Sequence, residues 1–144
     1  MASKRMRQDG ERVIVPRGTY YLGDPCHVMS CEEHDAYLDT VYTGQDRAPI
    51  GQHKGRDVLA YHTAHGDGRY EATNGYSIAV DTGTIGLVPV AAITDKALAK
   101  RDGGCIVKFE SDTVCGTGHG VLCFGPVAVD TDPRPDPEDE DEEA

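Results

Sequence analysis

The chain has 144 residues, 17 of them glycine and 8 proline, with 38% hydrophobic residues and a net charge of −11. That length allows one domain with a single core plus tails, and so turn-rich a composition suits short strands better than a helical bundle. Residues 131–144 carry eight acids and one arginine, net −7, leaving only −4 for residues 1–130; this excludes the broad basic face that nucleic acid or anionic lipid needs.

Residues 1–10 are basic and polar, and no apolar segment follows them, so no secretory signal is expected. The longest uncharged apolar run, 85–93, is too short for a bilayer span and contains Pro89. Five cysteines, at 26, 31, 105, 115 and 123, are an odd number without Cys-x-x-Cys spacing. They predict reduced thiols in an intracellular protein and exclude a zinc ribbon.

Residues 1–11 read as a flexible polar arm. Residues 12–16 are a first strand, and Tyr20 and Leu22 share one face of a second, with Tyr21 on the other. Gly23-Asp24-Pro25 ends it: a residue before proline is pushed out of the α region, and the Asp24 carboxylate is placed to cap nearby N–H groups. Ser30 and Glu33 form a capping box for a helix over about residues 30–43, with His34, Tyr37, Leu38, Val41 and Tyr42 on one face and Gly44 as its stop. Residues 44–57 lack periodicity and read as a long loop.

From residue 58 the pattern is β. A strand at 58–64 leads through the Gly66-Asp67-Gly68 turn into a hairpin around Asn74-Gly75, with Tyr76, Ile78 and Val80 inward. Asp81-Thr82-Gly83 turns into a strand over 84–88, and residues 91–100 read as a second, weaker helix. Cys105, Val107 and Phe109 face inward from another strand. Residues 121–129, apolar on both faces, read as a central strand interrupted at Gly125-Pro126. The acidic segment 131–144 is too polar to bury a core and reads as a disordered tail. The expected architecture is mainly β (α+β), an antiparallel sandwich or half-barrel of about seven to nine short strands with one packed helix. Its domain runs over 12–130.

The chemistry-bearing residues lie at turns. Cys26 reads either as a nucleophile, with His27 or a distant histidine as base and its thiolate favoured by the N-terminus of the Ser30 helix, or as a small buried hydrophobe at a strand–helix corner. Adjacent side chains rarely point the same way, which sets His27 aside as its base. His62, His65 and Asp67 suggest a metal, but positions 62 and 65 of one strand face opposite sides, leaving His65 and Asp67 as the metal candidates. Solvated turn residues are the plainer reading of both. Asp67, Glu71, Asn74 and Asp81 lack the spacing of a calcium loop. The glycine-rich run 115–120 lacks the Lys-Ser/Thr of a phosphate loop and reads as a hairpin loop, and there is no Gly-x-Ser-x-Gly elbow.

Gly18-Thr19-Tyr20-Tyr21-Leu22-Gly23-Asp24-Pro25-Cys26, followed by His27-Val28, resembles the GDPCYV signature of small phage and prokaryotic proteins of unknown function. The likeness continues through Thr63-Ala64-His65-Gly66-Asp67-Gly68-Arg69-Tyr70, then Val80-Asp81-Thr82-Gly83-Thr84-Ile85-Gly86-Leu87-Val88-Pro89, and Phe124-Gly125-Pro126-Val127-Ala128-Val129-Asp130-Thr131, in the same order. It implies a compact β-rich domain, often phage-encoded, and brings no established activity. Asp24, Cys26, Asp67 and Asp81 match the pattern, whereas His27 and His65 stand where that family has an aromatic residue.

With no complete catalytic constellation, the expectation is a non-enzymatic accessory protein, intracellular or virion-associated, that binds a host or viral protein or a small ligand without a cofactor. The alternative is an enzyme or ligand site built from Asp24, Cys26, Asp67 and Asp81, should their turns converge.

Overall fold

The computed structural model describes residues 5–43, 46–94, 97 and 103–132. Fourteen strands are formed among them, all paired antiparallel. In chain order these are β1 (Arg7–Asp9), β2 (Arg12–Val15), β3 (Gly18–Gly23), β4 (Tyr42–Thr43), β5 (Asp46–Arg47), β6 (Ile50–His53) and β7 (Arg56–His62). There follow β8 (Gly68–Glu71), β9 (Ser77–Val80), β10 (Thr84–Pro89), β11 (Cys105–Phe109), β12 (Thr113–Gly118), β13 (Val121–Phe124) and β14 (Val127–Asp130). One five-stranded sheet has the order β11-β3-β10-β7-β6 and a second β1-β2-β12-β13-β14; β4-β5 and β8-β9 are two-stranded ribbons. The protein is mainly β, as its turn density implies.

Alternation along the strands builds the layers. Tyr20, Leu22, Leu59, Tyr61, Ile85 and Leu87 leave the first sheet on one side and meet Val13, Val15, Leu122, Phe124 and Val129 of the second. Tyr21, Val58 and Val88 leave the opposite face and meet Tyr37 and Val41 of helix α1 (Cys31–Val41), together with Val28 and Met29. The result is a sandwich with a helix on its back. Each fully buried side chain of this kind contributes about 1.5–3 kcal/mol relative to exposure.

The helix begins as its sequence demands. Ser30 Oγ accepts from the Glu33 N–H, and Glu33 Oε1 accepts from the Ser30 N–H. It lies close on β6 because Gly51 has no side chain: a Cβ there would fall 2.4 Å from Val41 and 2.6 Å from Tyr37.

Several expectations are corrected. Residues 7–9 of the predicted arm pair with β2, and Met6 is buried. The loop expected over 44–57 holds β5 and β6, and β6 covers the edge of β7. Its Ile-Gly-Gln-His sequence shows no alternation because Gly51 is bare, so pairing rather than pattern makes it a strand. The strand expected at 121–129 is two, β13 and β14, joined by Gly125-Pro126 with Gly125 at φ 64, the positive first position of a type II′ turn. The 115–120 run is mostly β12, and only His119 (φ 53) and Gly120 (φ 79) turn, in type I′ fashion. These splits and the short edge strands raise the count above the expected seven to nine. Tyr76 is 55% exposed, because the β8-β9 ladder starts one residue later, at Ser77. In the segment expected as a second helix, Val90–Ala92 is a single 3-10 turn; the expected helix over 95–96 and 98–100, the stop at Gly44, and the tail from 133 onward lie outside the described residues. Thr131, expected in the tail, is fully buried; its hydroxyl accepts from the Ala64 N–H and donates to the Gly120 carbonyl.

Candidate functional site

At the carboxyl end of β3 the chain enters a 3-10 turn, Pro25–Val28, with proline in its first turn and Asp24 as its N-cap. Proline is preset for that position and has no N–H to satisfy, so the cap falls on Asp24. Its Oδ1 accepts from the Cys26 N–H (3.0 Å) and the Thr82 hydroxyl (2.6 Å). Its Oδ2 accepts from the N–H groups of Asp81 (2.8 Å) and Thr82 (2.7 Å). One fully buried carboxylate thus ties the corner after β3 to the turn between β9 and β10. Burial opposes its ionisation, but the hydrogen bonds from Thr82, Cys26 and Asp81 outweigh that and hold its pKa below the ordinary value.

Cys26, next to this anion, is half-buried. Burial first, then the charges of Asp24 and Asp81, push its thiol up to about 12. A nucleophilic cysteine needs the opposite surroundings, an electropositive site that favours thiolate. Cys115 is likewise buried and raised to about 12, and Cys105 is raised, burial being the main cause in both.

His27 lies close to Cys26 although the two are neighbours in sequence, while its Nε2 pairs with Asp81 and not with the thiol. In a tight helical turn successive side chains do not alternate as on a strand. One donor atom from each of Asp24, Cys26 and His27 lies within 4.8 Å of the others. His27 Nε2 is 2.5 Å from Asp81 Oδ2, and its buried Nδ1 has no hydrogen-bond partner among the described residues. Sulfur, imidazole and carboxylate together form the donor set of a borderline-soft divalent ion such as zinc. All four lone-pair positions of Asp24 are already engaged, however, so Cys26 and His27 are the two groups with an electron pair to offer.

Of the four residues expected to converge, Asp24, Cys26 and Asp81 do so. Asp67 does not join them: its turn abuts theirs, with the Thr63 N–H donating to the Gly83 carbonyl, but its own side chain is exposed. His65 pairs with Asp132 (2.8 Å) rather than with Asp67. The signal that would have located His27 was present in the sequence, because Asp24-Pro25 starts a helical turn and not a strand.

Comparison with protein-family models, with curated proteins and with solved structures yields no match to this chain.

Proposed function

We propose that this chain is a binding domain rather than a catalyst, an accessory protein of the phage type its motifs resemble, acting on a host or viral protein or on a small ligand. The observation that carries this reading is the state of the corner. Asp24 has every lone pair engaged in holding two turns together, and Cys26 keeps its proton beside two carboxylates. A group in either condition is a poor base and a poor nucleophile at neutral pH. The mildly acidic body supports a partner other than nucleic acid. Five free thiols, with Cys31 and Cys123 exposed, support an intracellular setting, in the host cytoplasm or associated with a virion. The competing reading, an enzyme or ligand site on Asp24, Cys26, Asp67 and Asp81, draws its support from the convergence of Asp24, Cys26 and Asp81 and from the His27–Asp81 pair.

Thiol chemistry tests the choice. With iodoacetamide near pH 8, the exposed Cys31 and Cys123 react first and Cys26 lags well behind. Activated acyl esters are turned over no faster by the wild type than by Cys26→Ala. Thiol-dependent turnover, or Cys26 as the first residue alkylated, rejects the binding reading.

A further inference from the structure

The end of the first sheet opposite the corner carries a cleft of about 430 Å³, in the size class of small-molecule sites. Four cations line it, Arg5, Arg17, Lys54 and Arg56, against a single acid, Asp57. This is out of keeping with a chain in which 25 acids face 14 lysines and arginines.

The one acid is turned to other work. Asp57 is 5% exposed; its Oδ2 accepts from Arg5 Nε (3.0 Å) and from the Met6 N–H (2.8 Å), and its Oδ1 from the Gln52 amide (2.5 Å). It therefore anchors Arg5 by one nitrogen while leaving the rest of that guanidinium uncommitted to it. Lys54 is shared with Glu33 at 3.1 Å, in a half-exposed pair of small energetic weight. Arg17 and Arg56 are exposed, at the start of β3 and of β7, and neither has an ion pair or side-chain hydrogen bond among the described residues. Arg17, just before β3, and Arg56, at the start of β7, thus present guanidinium forks from either side of β10 to one concavity, with a third held in place beside them. Planar forks of this kind match the oxygens of phosphate and carboxylate two at a time.

We infer that this cleft binds a small ligand bearing phosphate or carboxylate groups, with Arg17 and Arg56 as its principal contacts. The inference deepens the binding reading above and rests on it. Four cations gather at a concavity on a body of net charge −4, which favours a compact anion over a polymer.

The test uses the full chain at low salt. Inorganic phosphate, pyrophosphate and citrate are titrated against it, with glycerol as an uncharged control, and followed by calorimetry and amide NMR shifts. A saturable 1:1 response is expected, with shifts confined to residues 17–20 and 54–57. Arg17→Ala and Arg56→Ala each weaken it about tenfold, while Arg69→Ala, on β8 in the separate β8-β9 ribbon and not part of the cleft lining, leaves it unchanged. Preference for pyrophosphate over citrate assigns a phosphate ligand, and the reverse a carboxylate one; either supports the inference. It is overturned if no anion gives a saturable shift, or if Arg69→Ala weakens binding as much as the cleft variants do. It is also overturned if the cleft amides respond only when the acids at 136 and 138–143 are neutralised to their amides, since the chain's own acidic segment then fills the cleft. In each of those cases a protein-binding function elsewhere survives, and only thiol-dependent turnover or first alkylation at Cys26 removes that.

Discussion

The two ends of the first sheet use charge in opposite ways. At the corner, the buried Asp24 gives all its hydrogen-bonding capacity to the protein and joins two turns 57 residues apart in sequence. At the cleft, Arg17 and Arg56 give none of theirs to the described residues and stand exposed. The difference separates a residue that holds the fold from residues available to a partner. A turn crowded with reactive side chains is therefore no guide to activity until the occupancy of their lone pairs is known.

The largest effect expected is at the corner. Asp24→Ala strands the N–H groups of Cys26, Asp81 and Thr82 and should cost about 4 kcal/mol in a urea unfolding experiment. A loss below about 1 kcal/mol would mean that the carboxylate is not what joins the turns. Next comes the acid of the cleft. Asp57→Ala releases Arg5 and leaves the buried Met6 N–H without its acceptor; about 2 kcal/mol should be lost in the same assay. Equal losses for the two aspartates would erase the contrast in degree between the two ends.

Acid sharpens the comparison further. The pKa of Asp24 is depressed, so the stability it confers is present above the unfolded value of 3.8 and is lost as pH falls through its lower folded value. His53, nearly buried, has its pKa lowered from 6.5, chiefly by burial. Below pH 6.5 the unfolded chain takes up a proton that native His53 refuses, so stability declines there first. Unfolding free energy measured against pH should show two steps, with the upper one abolished in His53→Gln. A flat profile down to pH 4 would contradict the burial of that ring. The smallest expected effect is at the cleft arginines: Arg17→Ala and Arg56→Ala should each change stability by less than about 0.5 kcal/mol, and a larger loss would show that they serve the fold after all.

Much of this was legible in the chain itself. The capping box, the division of Tyr20 and Leu22 from Tyr21, and the inward Cys105, Val107 and Phe109 all follow from local periodicity, and all occur as expected. So does Asp24 as a cap, because the proline after it dictates the local geometry. Two partners of Asp24 were not legible: Asp81 and Thr82 lie far along the chain, and only the pairing of β3 with β10 brings their turn to it. The same holds for the strand at β6, which exists because β7 has an edge to cover, and for the cleft, whose cations come from three separate segments. Local patterns decided which segments are strands or helix and which way most of them face. Tertiary pairing decided which turns meet, and with that, whether the reactive residues at Cys26 and Asp24 are free to act or are held in the frame.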